Sequence, residues 1–518
     1  MRLRMERGHQ GGLMSLSYFL GVDFGGSSSK ATLLSSEGKI LATATTEYPT
    51  YYPKDGWAEQ DPKDSYRALV SNIHKILQQV PIDAFQIKAI ALDGATHTSV
   101  LLDENDEPVR PAIYWTDRRS VKESEWLVSH YNDRLMELTY NAPSPLWTLP
   151  QIIWVRENEP EVFKRVRRIL FMKDYVRYCL NHDFATDSIE AMGAMFLDAR
   201  TNTWSKELCD LAGITTDMLP RIVDPSDVLA PLTPQACRET GLSPDTLVLA
   251  GATDTVMEVF ASGSVSVGQS TIKLATAGRI CPITDHAYVH PLLVTYRHLV
   301  PGLWYPGTAT KQCAASFRWY RDTLGTHELS IEKSGGMNAY EQMDAHAETV
   351  PAGSENLFFH PYLQGEITPY LDNDLRGSFT GVSSFHTKAH FNRAVLEGVA
   401  YSLKECYHVL GEMGIAMNSA SIIGGGAKSP LWRQIVADML GIEMKKMVCD
   451  DSSFGSAMLA GIAAGAFSGF EDCVARCTQV DEIIRPNEKN HAVYERGFET
   501  YKAIHDALAP VYHALASK

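Results

Sequence analysis

From Tyr18 onward, short apolar runs alternate with turn-forming residues. Tyr18-Phe19-Leu20-Gly21-Val22-Asp23 reads as a buried strand, and Gly25-Gly26-Ser27-Ser28-Ser29 as a turn. Lys30-Ala31-Thr32-Leu33-Leu34 is the next strand, Ser36-Glu37-Gly38 the next turn, and residues 40–45 a third strand. Asp61 is placed to cap a helix that Pro62 opens and that runs to about Gln79. Residues 87–92 predict another strand, ending in Asp93-Gly94-Ala95-Thr96-His97. Apolar spacing near 3.6 predicts helices over 149–157, 160–168 and 173–180. Residues 247–251 form a strand, followed by Ala252-Thr253-Asp254 and a helix of small residues.

A second half starts near Ser264. It has a strand over 269–275, the turn Thr276-Ala277-Gly278, a long helix over 391–412, a strand over 420–423 and then Gly424-Gly425-Gly426. Each half thus uses strand, small-residue turn, strand, a faint internal echo. A helix over 493–508 closes the chain. Strands alternating with helices imply an α/β class.

Length sets the scale: 518 residues suggest about three units, or two large ones. Apolar residues at 45% and charged residues at 21% are those of a globular protein, which excludes a disordered, collagenous or coiled-coil chain. The net charge of −15 argues against general nucleic-acid binding, because phosphate is repelled. A nucleotide or sugar phosphate can still be bound through local amides. No run of 18 apolar residues appears, so no membrane span is expected. Residues 1–17 carry Arg2, Arg4 and Arg7 but no apolar core, and read as a disordered lead rather than a signal peptide, with Met14 an alternative start. Nine scattered cysteines suggest reduced thiols and a cytoplasmic protein; Cys473 and Cys477 share a helix face without a second pair to make a metal site.

Several residues could carry chemistry. The Gly25–Ser29 turn offers amides and hydroxyls to a phosphate, though an ordinary hairpin turn looks the same. Asp23 favours the first reading, since a carboxylate ending a buried strand is costly unless paired or metal-bound. Gly424-Gly425-Gly426 lies between a strand and a helix that Ser429 would cap; it would let a ligand lie against the backbone, or would simply be a flexible connection. Thr276-Ala277-Gly278 is a second candidate phosphate turn, or a plain one. Asp254 is either a helix cap or a general base that takes a hydroxyl proton. Thr96 and His97 follow a strand's end, where ligands often bind, while a structural histidine is the alternative. Trp115 could stack on a sugar face and Asp117 and Arg118 could hold hydroxyls, or the three could be a packed indole beside a salt bridge.

Together these pieces resemble the FGGY carbohydrate kinases, most closely their xylulokinase branch, over about residues 18–467. Residues 21–30 are similar to the family's opening phosphate motif, D-x-G-T-x-x-x-K. The run from Ser144 to Trp154, Lys173-Asp174-Tyr175, Leu197-Asp198 and Thr203-Trp204-Ser205 look like first-domain landmarks. Residues 249–254 are similar to the segment with the catalytic aspartate, and residues 424–434 to the adenosine motif.

The resemblance implies an α/β fold of two actin-like, ribonuclease H-like ATPase domains flanking a deep cleft. It divides the chain into a lead (1–17), a sugar-binding and catalytic domain (18–262), a nucleotide-binding domain (263–485) and a helical tail (486–518). It implies ATP and Mg²⁺, with Asp254 as base and Asp23 holding the metal directly or through water. Gly25, Gly26, Ser27, Ser28, Lys30, Thr276 and Gly278 would face phosphates, and Gly424, Gly425, Gly426 and Ser429 the adenosine. Thr96, His97, Trp115, Asp117, Arg118, Asp254 and Thr255 would surround the sugar.

The chain departs from the family pattern in four places. Gly26 stands where Thr is common, residues 94–98 read G-A-T-H-T rather than G-Q-M-H-G, Thr255 replaces Asn or Gln, and residues 450–455 differ from E-x-x-x-x-G. The expectation is an ATP-dependent kinase of a ketopentose or related sugar or polyol, xylulose-like, cytoplasmic, binding neither nucleic acid nor membrane, with a homodimer among its possible states. The alternatives are another acceptor (L-ribulose, L-xylulose, glycerol or a deoxysugar), a non-catalytic ligand sensor, or an actin-like ATPase of the chaperone or activator kind.

Overall fold

The computed structural model describes residues 16–516, so the expected lead over 1–17 lies almost wholly outside the described residues. Two mixed sheets organise the chain. In the first, the strands run Leu247–Val248, Ile87–Gly94, Tyr18–Phe24, Ser28–Ser35, Ile40–Glu47 in spatial order. Tyr18–Phe24 pairs antiparallel with Ser28–Ser35 and parallel with Ile87–Gly94. The parallel neighbour needs a crossover, which the helix Pro62–Gln79 supplies. Asp61 starts that helix by accepting from the Lys63 amide, and its apolar stripe of Leu69, Ile73 and Ile76 is buried.

The second sheet repeats this plan. Gln269–Leu274 pairs antiparallel with Gly278–Pro282 and parallel with Ser419–Ile423, as the echo in the sequence predicts. Trp304–Thr310 and Val294–Arg297 extend one edge, and Met444–Met447 and Val480–Ile484 the other. The long helix Lys388–Glu412 packs beneath it, and the terminal helix Glu488–Ala516 buries Tyr494, Phe498 and Tyr501 in the same core.

Two expectations are corrected. The helix expected over 160–168 stops at Pro160–Phe163, because Arg168–Phe171 forms a strand on Ser99–Leu102. The strand expected over 247–251 is only Leu247–Val248. Gly251 breaks it: its φ is +74°, and a Cβ there would lie 1.9 Å from the Leu92 carbonyl oxygen. Only glycine adopts that conformation at that distance. The chain then re-pairs, with Ala252 beside Asp93 and Thr253 beside Gly94, which delivers Asp254 to the sheet's end.

The halves are joined by a crossing. Helix Ser452–Ala463, which belongs to the second half in sequence, lies on strand Tyr18–Phe24 and against helix Asp254–Ala261 of the first. A Cβ on Gly21 would fall 1.9 Å from the Ser453 carbonyl oxygen, and one on Gly455 2.3 Å from that of Met257. Backbone meets backbone at both places, so no side chain can yield. One apolar core accordingly includes Ala91, Trp147 and Phe260 from the first half and Tyr296, Tyr305 and Phe454 from the second. Gly21→Ala and Gly455→Ala should each cost at least about 1–3 kcal/mol, read as a lower thermal unfolding midpoint. Gly411→Ala, on an exposed helix face with nothing near its Cβ position, should be neutral or mildly stabilising. Equal midpoints for all three would contradict the close crossing.

Candidate active site

Three carboxylates end three adjoining parallel strands. Asp23 and Asp93 are direct register partners, and Asp254 follows the two-residue strand that pairs with Asp93 and Gly94. Ligand sites of α/β proteins lie at such carboxyl ends. The crossing helix brings more polar groups to this place. Ser456 Oγ donates to Asp93 Oδ2 at 2.5 Å, and Asp451, which caps the helix, accepts from Lys30 Nζ at 2.8 Å. Helix Asp254–Ala261 adds Glu258, which is paired with Lys273 from the second sheet. Burial, and then the neighbouring Asp254, push Asp23 up to about 8. Burial raises Asp93 well above the usual carboxylate range as well, with Asp23 the next cause. The site resists holding negative charge while no cation is present.

Asp254 is half-buried and held at one oxygen only. Its Oδ1 accepts from the Thr255 amide at 2.5 Å and from Thr255 Oγ1 at 3.1 Å, while among the described residues no group donates to Oδ2. Thr255 therefore orients the carboxylate and leaves one oxygen open.

Two turns follow the corresponding strands of the two sheets, Tyr18–Phe24 and Gln269–Leu274. In the first, carbonyls are tied backwards: Gly25 O accepts from Tyr48 Oη at 2.7 Å, and Gly26 O accepts from Gln60 Nε2 at 3.2 Å and from Thr50 Oγ1. The amides of Gly26 and Ser27 and the hydroxyls of Ser27 and Ser28 donate to no protein acceptor among the described residues. A Cβ on Gly26 would lie 2.9 Å from Tyr114 Oη, so a larger residue there would have to displace that hydroxyl. The second turn behaves alike. Thr276 O accepts from the Cys313 amide at 2.9 Å, Gly278 N donates to Thr310 Oγ1 at 3.2 Å, and the amides of Thr276 and Ala277 have no acceptor among the described residues. Gly424 takes φ +93° where its chain passes Leu274, Gly425 is exposed with open space around it, and Gly426 is buried. Ser429 Oγ is engaged as a cap, accepting from the Trp432 amide at 3.0 Å.

The remaining sequence candidates are distributed unevenly. His97 is buried at φ +72°. Its Nδ1 lies 2.9 Å from the Gly193 carbonyl, which can only accept, so Nδ1 carries the proton and Nε2 accepts from Tyr296 Oη at 3.0 Å. Burial lowers this imidazole to about 3, so it stays neutral. Trp147 packs edge-on against it at 4.4 Å, and Thr96 lies beside Gly193. Lys173, one of the family landmarks, explains the wall behind. Its Nζ bridges Asp174 and Asp187 at 2.7 Å each, and Asp187 caps the short helix carrying Glu190 and Gly193. Glu190 Oε1 in turn accepts from the His97 amide at 3.1 Å. Asp117 is buried in a bidentate pair with Arg119 and accepts from the Ala58 amide, so it braces the chain. Trp115 is 40% exposed, and Arg118 is exposed and in no ion pair among the described residues.

Sequence reasoning missed Asp93, Glu258, Lys273, Arg279 and Tyr296. Asp93 carried the signal used for Asp23, a carboxylate ending an apolar strand. The others lie inside amphipathic elements and carried none.

Comparison with known proteins agrees with this architecture. Residues 18–261 match the N-terminal domain of the FGGY family of carbohydrate kinases, and residues 263–464 its C-terminal domain. The chain is 30% identical to xylulose kinase from Bacillus subtilis over 97% of its length and 99% of that protein. It is 29% identical to gluconokinase from Bacillus licheniformis, over 97% and 98%. Ligand-bound xylulose kinase from Lactobacillus acidophilus superposes with a TM-score of 0.89 at 26% identity, covering 96% of this chain and all of that one. Gluconate kinase from the same organism gives 0.88 at 27%, covering 97% and all of it. With both domains matched in order and each sheet presenting its carboxyl-end turns to a common acidic junction, this chain belongs to the FGGY family of carbohydrate kinases.

Proposed function

We propose that the protein transfers the γ-phosphate of ATP to a hydroxyl of a ketopentose or closely related polyol, with a xylulose-like acceptor favoured. The named activities of its similar relatives support the acceptor class. The observation that carries the mechanism is the asymmetry of Asp254, one oxygen fixed by Thr255 and the other without a partner. The open oxygen takes the acceptor's proton as its hydroxyl oxygen attacks the γ-phosphorus. Such transfer is accelerated mainly by positioning and charge stabilisation. The unpaired amides of Gly26, Ser27, Thr276 and Ala277 meet the phosphate oxygens. Gly424, Gly425 and Gly426 lie under the adenosine, with Ser429 fixing the helix behind them. Residues 18–262 carry the acceptor and the base, and residues 263–485 the nucleotide.

Among the described residues no group of three or more His, Cys, Asp or Glu side chains is arranged to hold a metal ion by itself. A Mg²⁺ ion would therefore arrive on the phosphates of ATP, with Asp23 as its protein anchor. The fit rests on Asp23 itself, whose charged form is disfavoured by burial and is restored by a neighbouring cation. Bound there, the metal would neutralise phosphate charge. Lys30 stays close to Asp23, steered by Asp451.

Asp254→Asn is expected to fold with an unchanged thermal midpoint and to lose about 10²–10⁴-fold in kcat, measured by coupled ADP release over a panel of ketoses and polyols. Turnover within tenfold of wild type would remove Asp254 from the base role. Asp23→Asn is expected to raise the Mg²⁺ concentration for half-maximal rate by about tenfold or more, while the acceptor KM stays within about twofold. An unchanged Mg²⁺ requirement would remove Asp23 as the anchor.

A further inference from the structure

Strands Gln269–Leu274, Ser419–Ile423 and Met444–Met447 lie side by side and parallel in the second sheet. The turns at 276–278 and 424–426 follow the carboxyl ends of the first two. Towards their amino ends the same strands line a separate cavity of about 170 Å³. The connector Ser262-Gly263-Ser264 closes one side of it, and Val474 and Thr478 another. That connector is the join between the two family domains, whose matches end at residue 261 and begin at residue 263.

Residues paired in register point to the same face of a sheet. Thr271 is paired with Ser421 and Ser421 with Lys445, so a polar row crosses three strands of a parallel region, where apolar residues are the rule. The connector is bonded onto this row. Ser421 Oγ donates to Ser262 O at 2.9 Å, and Thr271 Oγ1 lies 3.2 Å from Ser262 Oγ and 3.3 Å from Ser264 Oγ.

Two donors at the cavity are left over. Lys445 is half-buried, and among the described residues its ammonium has neither an ion-pair partner nor a hydrogen-bond acceptor. Gln269 Oε1 accepts from the Val265 amide at 2.7 Å and the Ser266 amide at 2.9 Å. Main-chain amides only donate, so these bonds fix which end of the side chain is oxygen. Its Nε2 is the free end, with no acceptor among the described residues. No described Asp or Glu lines the cavity, although the chain carries a net charge of −15. The recess is therefore electropositive and unsuited to a cation. The hydroxyls of Ser421, Ser270 and Thr478 spend their protons on main-chain carbonyls and keep lone pairs to offer. An occupant that accepts from Lys445 and Gln269 and donates one O–H to a serine oxygen satisfies every group. Phosphate, which keeps an O–H near neutral pH, has this pattern. The volume is below the roughly 300–1,000 Å³ of pockets for larger ligands, and suits one such group.

We propose that this cavity is a phosphate-binding site at the domain junction, separate from the catalytic cleft, with Lys445 supplying the charge and Gln269 Nε2 an oriented donor. The phosphate is the free ion or the phosphoryl group of a small sugar phosphate. Ser262 closes the helix that Asp254 begins, so an occupant ties the far end of that helix to the second sheet.

The test uses the full chain saturated with a non-hydrolysable ATP analogue and a ketopentose, which fill the cleft. Inorganic phosphate, and separately a pentose phosphate, is titrated by calorimetry into wild type, Lys445→Met and Gln269→Glu. The second variant keeps the oxygen that accepts from Val265 and Ser266 and turns the donor end into an acceptor. Wild type should bind one phosphate, and each variant should bind it at least about tenfold more weakly. Phosphate should raise the thermal midpoint of wild type and leave those of the variants nearly unmoved. Crystals grown without phosphate or sulfate and soaked in selenate should show an anomalous peak within about 4 Å of Lys445 Nζ. Tighter binding of the pentose phosphate would identify a sugar phosphate as the occupant, and equal binding the free ion; either supports the site. No phosphate binding by wild type with the cleft filled, equal affinity in all three proteins, or selenate found only elsewhere would overturn it. The comparison among the three proteins reports on this cavity alone, so it stands whether or not the kinase reading does.

Discussion

The structure depends on one close approach, the crossing of helix Ser452–Ala463 between strand Tyr18–Phe24 and helix Asp254–Ala261. Gly21 and Gly455 are the two points at which main chains touch. Every charged group of interest is positioned from there. The N-terminal end of the crossing helix presents Asp451 to Lys30, its second turn presents Ser456 to Asp93, and its far side fixes the helix that begins with Asp254. Neither half has the complete set. The acidic residues come mainly from the first sheet, whereas Lys273 and Arg279 come from the hairpin of the second.

That division has an energetic meaning. Asp23, Asp93 and Glu258 are packed where burial and mutual repulsion disfavour their charge. Such a cluster is a poor stabilising device and a good receptor for cationic or proton-donating groups. Positive charge is arranged around it in graded fashion: Lys273 paired with Glu258, Lys30 paired at the rim, and Arg279 in no ion pair among the described residues. The turns add neutral donors. Their carbonyls are turned away into Tyr48, Gln60 and the Cys313 region, so their amides are left for an anion without any net charge being spent.

Much of this was legible in the sequence, for physical reasons. Strand–turn–strand segments built from local apolar runs and small residues were recovered closely, and so was the helix that Asp61 and Pro62 begin. Asp23 and Asp254 stood out because a carboxylate at the end of an apolar strand is costly without a purpose. The failures came where tertiary pairing overrides local pattern. Residues 168–171 read as helix but form a strand on residues 99–102, and Gly251 interrupts a run that looks continuous. Asp117 looked available for a ligand but is bound by Arg119, whereas Ser429 caps the helix after the glycines as its position implies. His97 sits as expected beside Thr96, but both of its ring nitrogens are engaged within the protein. Glu258, Lys273 and Tyr296 were invisible because their partners come from distant parts of the chain, which no one-dimensional pattern records.

The most direct measurement of the central claim is a structure of the protein with a non-hydrolysable ATP analogue and its preferred acceptor bound together. The account predicts an acceptor hydroxyl within about 3 Å of Asp254 Oδ2 and facing the terminal phosphorus, with that phosphate on the amides of Gly26, Ser27, Thr276 and Ala277. An acceptor hydroxyl out of reach of Asp254, or a terminal phosphate bound away from both turns, would contradict it.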